Sequence, residues 1–337
     1  MNLTSTKYFA KRLFSNAAYL SGIIHRRRSK PGLLILMFHK INDKPDTLPL
    51  TLKTNIFEEL ILDIKKYNDI IPIESITADQ KGILQSNGLK VALTFDDGYL
   101  DNYTNAYSIL NKHKIPATIY LSTDHIDGKR VFWYEQISHA ILMSEQSTLT
   151  LDDIGYGNQS LGSLFERKNT LYRLNATLKD LKEDQRSKIA SIILERSGAA
   201  DTFESSKMLD WDVIRKMNKS GINFGSHTIT HPILSKEAKT RIVHEVRESK
   251  LKIERELGEP IISFAYPNGT LADFNDTVID IVKNAGYLNA CTTINGINHI
   301  DTPMHTLYRI NISNEICTKR DGSFDDRHFW ARALNLF

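Results

Sequence analysis

Cysteine is nearly absent from the 337-residue chain: Cys291 and Cys317 are the only two, and they lack CxxC spacing. That excludes a disulfide scaffold and a cysteine-built zinc module. Two reduced thiols fit best, and a single disulfide stays open. No stretch approaches the 20 or so apolar residues of a membrane-crossing helix. The chain shows no internal repeat and no low-complexity tract. Charge of one sign is also missing from the body. Residues 1–42 hold eight Lys/Arg and no acid, and taking those eight from the total of 43 leaves 35 basic residues against 40 acidic ones. A net charge of +3 therefore belongs to one end, and a nucleic-acid footprint spread over the chain is excluded.

What is present is an ordinary globular composition, 41% hydrophobic and 25% charged, long enough for one large domain with an inserted piece. The basic end, residues 1–30, reads as an amphipathic arm. Phe9, Leu13, Ala17, Leu20 and Ile24 recur at spacings of three and four. Lys7, Lys11 and Arg12 flank them, and Arg26-Arg27-Arg28 follow. Ser15, Asn16, Ser21 and Gly22 break the run, against a secretory signal. Two readings remain: a helix lying on an anionic membrane through residues 3–28, or one packed on the protein's own surface. The lack of an export signal suggests a cytoplasmic protein, peripheral at the inner membrane if the first reading holds.

From residue 31 onward strands and helices alternate. Leu33–Phe38 is an unbroken apolar run, as a strand buried on both faces requires. A helix is expected at 55–67, capped by Thr54 or Asn55, then a short strand at 70–73 and another at 90–95. Further units follow: a helix at 102–112 and strand 117–122, helix 211–220 and strand 222–225, helix 236–257 and strand 261–264, and helix 277–285. The last strands are expected at 287–292 and 306–312. Residues 124–205 break the pattern and read as a mostly helical insertion, with a polar stretch through Gly155-Tyr156-Gly157-Asn158. The fold class is α/β, with parallel strands joined by right-handed crossovers and polar residues gathered at the strands' C-terminal ends.

Two such ends carry chemistry. Thr94-Phe95-Asp96-Asp97-Gly98 places adjacent carboxylates at the end of a buried strand, an arrangement that calls for a nearby cation. Ser226-His227-Thr228-Ile229-Thr230-His231 places two imidazoles at the end of another. An Asp-Asp-Gly alone is commonly a turn, and a lone HxxxH is a weak signal. Together, Asp97, His227 and His231 offer the donor set of a divalent ion with an open position, most simply Zn²⁺, with Co²⁺, Ni²⁺ and Fe²⁺ also allowed. Asp96 is left beside it to take a proton from water.

These segments resemble the first two motifs of the polysaccharide deacetylase (NodB-homology, carbohydrate esterase) family, and the likeness runs from about Leu33 to Ile312 outside the insertion. The resemblance implies a distorted (β/α)7-type barrel over 31–337 that hydrolyses N-acetyl groups of amino sugars in a polysaccharide or glycan precursor. It implies Asp96 as general base, and Asp97, His227 and His231 as metal ligands. Phe264-Ala265-Tyr266-Pro267-Asn268-Gly269 resembles the third motif, which shapes the groove and offers a backbone N–H from the Tyr266–Gly269 loop to the oxyanion, so Tyr266 and Asn268 are expected at the substrate and oxyanion side, and Trp211 on a groove wall. Two departures stand out. The Arg that usually orients the base is replaced by Ala265; Arg309 is the substitute candidate, with a surface arginine an equal alternative. No late strand ends in the usual His, but Leu33–Phe38-His39 has that look, as though the last motif had moved to the front. A permutation of this kind is similar to the poly-N-acetylglucosamine deacetylase branch, and it makes His39 the expected general acid. Rival readings are another metal-dependent amidohydrolase or esterase on the same barrel, a non-catalytic carbohydrate-binding relative, and a membrane-surface protein whose arm is its functional part.

Overall fold

Gly32–Phe38 forms β1, with all seven residues buried, and pairs over its whole length with β2, Leu89–Phe95. The computed structural model describes residues 3–44, 50–77, 82, 84, 85 and 87–337, with only the backbone course of 3–9. The side chains of Lys7 and Phe9 therefore lie outside the described residues.

Five more strands complete a single parallel sheet: β3 Thr118–Leu121, β4 Asn223–Ser226, β5 Ser263–Ala265, β6 Asn289–Cys291 and β7 Ile310–Asn311. Their spatial order is β6-β5-β4-β3-β2-β1-β7. The last segment stitches the curled sheet back on itself. Leu307 bridges to Cys291 of β6, while Ile310 pairs with Leu36 of β1. This is the distorted seven-stranded barrel expected from the alternation of elements.

Helices close the outside. From the amino end they are α1 Leu3–Leu20, α2 Ile23–Arg28, α3 Thr54–Tyr67 and α4 Ser108–His113. α4 continues a π-helical stretch, Asn102–Tyr107, that the expected helix at 102–112 had merged with it. The insertion holds α5 Trp133–Met143, α6 Leu164–Leu178 and α7 Glu183–Arg196. α8 Trp211–Lys219, α9 Lys239–Leu257 and α10 Asp276–Asn284 return to the barrel, and α11 Asn314–Cys317 and α12 Asp326–Ala333 end the chain. The insertion has its own apolar core of Trp133, Ile137, Ile141, Leu149, Leu174 and Ile193 among others. Part of it is not helical. Thr148–Leu151 pairs antiparallel with Gly157–Ser160, so the stretch read as merely polar is one arm of a hairpin.

Two smaller expectations fail. Residues 70–73 are no strand: Ile70 makes one bridge to Val91, and Ile73–Ser75 is a 3-10 turn. Neither Thr54 nor Asn55 caps α3. Lys53 stands at its N-cap, and side chains distant in sequence serve the open amides, Asn314 for Lys53 N–H and Asp43 for Thr54 N–H. Cys291 and Cys317 are both buried free thiols.

Candidate active site

The β1–β2 register sets the first relationship. Phe38 pairs with Phe95, so the residues that follow, His39 and Asp96, emerge side by side, and Asp96 N–H still donates to Phe38 O at 2.9 Å. Phe38, Phe57 and Phe95 pack ring to ring beneath this end of the sheet, a rigid apolar floor. Asp97 and Gly98 then turn with φ of 77° and 86°. A side chain at Gly98 would meet Leu121 at 2.9 Å, so the turn requires glycine on both counts.

The two aspartates face different partners. Asp96 is buried and gripped by Arg309, Nη1 to Oδ1 at 2.7 Å and Nη2 to Oδ2 at 2.8 Å. Arg309 is itself fixed by Thr292 O at 2.8 Å and Thr94 Oγ1 at 3.2 Å. Burial raises the Asp96 pKa, but the Arg309 charge and then His227 outweigh it, leaving the carboxyl below its ordinary range. Asp97 has no such cation. Burial, then the neighbouring Asp96, push it up to about 7. Its Oδ2 accepts a hydrogen bond from Tyr134 OH at 2.8 Å. Its Oδ1 is buried without a hydrogen-bond partner and lies 3.7 Å from His227 Nε2 and 3.6 Å from His231 Nε2.

The histidines are presented by a loop rather than a helical turn. His227 follows β4, and its Nδ1–H donates to Ala265 O at 2.7 Å, which leaves the Nε2 lone pair facing Asp97. Thr228 and His231 have φ of 70° and 57°, unusual for residues with a Cβ. Glu245 of α9 supports this strained loop. Its carboxylate accepts from Ile229 N–H, Thr230 N–H and Thr230 Oγ1 at 2.8, 2.9 and 2.7 Å, and from Arg241 Nε at 2.9 Å. Burial holds both imidazoles below their ordinary pKa, so they offer lone pairs at neutral pH.

Asp97, His227 and His231 bring one ligand atom each within 4.8 Å of one another. The donor set fits a divalent ion: a buried, partnerless carboxylate oxygen aimed at two imidazole nitrogens, at separations that metal–ligand bonds of about 2.0–2.2 Å can span. These three residues and Asp96, His39, Tyr134 and Asn268 line one cavity of about 1020 Å³. His39 has an unpartnered Nδ1, and burial, only partly offset by Asp96, lowers its pKa to about 4. Asn268 adopts φ 59° and turns an unpartnered Nδ2 into the site. At Gly269 a Cβ would meet Thr293 N at 2.9 Å, so the loop after β5 needs that glycine.

Trp211 and Tyr266 are not on the cavity wall. Trp211 opens α8 behind its cap Asp210 and packs in the barrel core with Lys252 over its ring. Tyr266 stacks on Phe274 at 4.5 Å and donates its OH to His305 O, and its backbone N–H is taken by Cys291 O at 3.0 Å rather than left for an oxyanion. Both are aromatic residues at strand or helix ends that the interior claims. Tyr134 and Glu245 went unread in the sequence. Tyr134 was signalled only by its aromatic neighbours Phe132 and Trp133, and Glu245 by nothing in the charged pattern of α9.

The family model described as Polysaccharide deacetylase matches residues 85–290, more than half of the chain. The match takes in Asp96, Asp97, both histidines and Asn268, and leaves His39 and Arg309 outside. YxkH of Bacillus subtilis (strain 168), whose name places it among polysaccharide deacetylases, is 22% identical over 291 residues, covering 85% of this chain and 74% of that protein. Among solved structures, the Streptococcus pyogenes deacetylase PplD in complex with acetate aligns with a TM-score of 0.56 and 20% identity, over 85% of this chain and 95% of its own. IcaB from Ammonifex degensii aligns with a TM-score of 0.57 and 16% identity, over 91% and 97%. These two likenesses show the shared fold.

Proposed function

The chain belongs to the polysaccharide deacetylase family, and on that premise we propose that it is a metal-dependent hydrolase removing N-acetyl groups from amino sugars of a polysaccharide or glycan precursor. One observation carries this reading: the adjacent aspartates are separated chemically, Asp96 by the Arg309 fork and Asp97 by two imidazoles. A divalent ion held by Asp97, His227 and His231, Zn²⁺ being the simplest, would supply Lewis-acid activation of water and of the amide carbonyl.

The chain's own groups account for the proton movements. Asp96 is kept ionised by Arg309 and takes the proton of the attacking water. The fork leaves it one orientation toward the cavity. His39 stands beside it and gives a proton to the departing nitrogen as the carbon–nitrogen bond breaks, producing acetate and a free amine. Burial lowers its pKa to about 4, so the imidazolium is the minor form at neutral pH; the Asp96 charge favours that form, which is a strong acid toward the departing nitrogen. Asn268 Nδ2 is placed to donate to the substrate. Insertion residues Trp133, Asn175 and Lys179 line the same cavity, which is large for a lone acetamide and suits a glycan.

The test is Asp96→Asn. Acetate release from N-acetylated glycans is expected to fall at least about a thousandfold, with bound metal retained. Full activity in that variant would overturn the assignment of the base.

A further inference from the structure

The amino-terminal helix docks by the opposite face from its apolar stripe. Arg12, Ser15 and Ala18 face the protein. Arg12 pairs with Asp325 and donates to Thr318 O at 2.6 Å, Ser15 Oγ meets His328 Nδ1 at 3.2 Å, and Ala18 is buried. Asn16 accepts from Arg327 at 3.0 Å, and the rim residue Phe14 packs edge-on against Phe337. The stripe residues Leu13, Ala17 and Leu20 point away, with Leu13 54% and Leu20 78% exposed. Ile23, the next residue in line, is exposed too, whereas Ile24 turns into the core. A helix serving only to cover the barrel would bury that stripe.

Basic side chains outnumber acidic ones around the stripe: the cleft beside Leu13 holds Arg12, Lys319, Arg320 and Arg327 against Asp325 and Asp326. Arg26, Arg27 and Lys30 are exposed beside Ile23, and no acidic residue occurs in the first 42 positions. Among the described residues no helix is long and apolar enough to cross a membrane. An apolar stripe with a basic margin matches the interface of an anionic bilayer, where leucines enter the acyl boundary and arginines stay among the headgroups.

We propose that the Leu13–Ala17–Leu20–Ile23 face of α1 and α2 seats the protein on an anionic lipid surface. Lys11, on the side of the same helix turned away from the stripe, lines the catalytic cavity together with His328, Arg332 and Phe337 at the carboxyl end.

Co-sedimentation of the full chain with phosphatidylcholine vesicles, with and without 25% phosphatidylglycerol, tests this without reference to catalysis. At least about tenfold stronger binding to the anionic vesicles is expected, declining as salt rises. Leu13→Glu with Leu20→Glu should abolish binding while leaving the melting temperature and hydrolysis of a water-soluble N-acetyl substrate unchanged. Arg26→Glu with Arg27→Glu should remove the preference for anionic lipid. No binding to anionic vesicles, or binding that survives the leucine changes, overturns the proposal. So does a dimer in sedimentation that the leucine changes dissolve, since a second copy would then cover the face.

Discussion

Arg309 grips both carboxylate oxygens of Asp96 from a position 213 residues away, with neither side chain reaching bulk solvent. The sheet makes this contact available. β7 lies beside β1, which lies beside β2, so the guanidinium arrives across two strands and takes the place that Ala265 leaves vacant. A buried two-point pair fixes both the charge and the direction of the carboxylate.

Replacing Arg309 by Lys keeps the charge and loses the fork, and kcat is expected to fall about 10²-fold with metal content unchanged. Arg309→Met removes the charge as well. Asp96 then loses what holds its pKa down, and the acid limb of the kcat/KM profile moves to higher pH. The methionine variant also strands a buried carboxylate, so about 3 kcal/mol of stability should go with it. A profile that does not move would show that Arg309 does not control the ionisation of Asp96.

Tyr134 reaches from the insertion to Asp97 Oδ2, and its hydroxyl also meets Tyr99 OH at 3.0 Å. Tyr134→Phe leaves the ring packing and deletes the hydrogen bond that orients the ligand. Metal affinity measured by competition with a chromophoric chelator should weaken by about 10-fold, with kcat of the fully loaded enzyme little altered. Unchanged affinity would mean that the insertion shapes the cavity without steadying the ligand.

What the sequence disclosed, and what it hid, follows from range. β1 was legible because a strand buried on both faces is apolar throughout, β2 because Val91–Leu93 carry the same signal between Lys90 and Thr94, and the residues closing them, His39 and Asp96, because polar groups there need a purpose. The Asp97–His227–His231 group could be assembled because strand ends of a parallel sheet share one rim. Arg309 could be named a candidate, but only packing distinguishes its fork from a solvated strand end. Tyr134 lay beyond such reasoning, since its contact with Asp97 depends on how a separate small core settles on the barrel. Trp211 and Tyr266 were placed by motif resemblance, which does not show that the core claims both rings or that the sheet takes the Tyr266 N–H. The stripe of α1 was visible, but its direction was set by Arg12, Ser15 and Ala18, which make the docking contacts. The hairpin of the insertion alternates Leu149 and Leu151 inward with Thr148 and Thr150 outward, a period of two too short to stand out beside Gly155 and Gly157.

Glu245 is expected to matter as much to the site as a ligand does, although it touches none of the reacting atoms. It alone accepts both Ile229 N–H and Thr230 N–H, inside a loop whose Thr228 and His231 are held at positive φ. Glu245→Ala leaves those amides without their acceptor, costing about 2 kcal/mol of folding stability, and frees the loop to relax. Apparent metal affinity should drop about 10-fold or more, while Glu245→Gln, which keeps one acceptor oxygen, should recover part of both. Thermal melts with and without metal separate the two losses. Equal shifts in both melts would assign Glu245 to the fold alone.

At the far end of the barrel, Glu74 accepts hydrogen bonds from Thr118 Oγ1 at 2.9 Å and Asn223 Nδ2 at 2.8 Å, at the first residues of β3 and β4. Burial raises its pKa from 4.5 to about 7, against the pull of those hydrogen bonds. The folded chain therefore binds a proton there that the unfolded chain has released between about pH 4.5 and 7. Stability from this group is complete below the lower value and is lost as pH rises through the upper one. Because the side chain keeps some solvent contact, the amount is about 2 kcal/mol rather than the full shift. Glu74→Gln removes the titration and keeps an acceptor for Asn223. The variant should match the wild type at pH 5 and unfold at higher denaturant concentration than it at pH 8. Parallel stability curves across that range would show that the carboxylate is already ionised in the folded chain. The candidate active site lies at the opposite ends of the same strands, so kcat at pH 7 should be unaffected by this change, which separates a stability effect from a catalytic one.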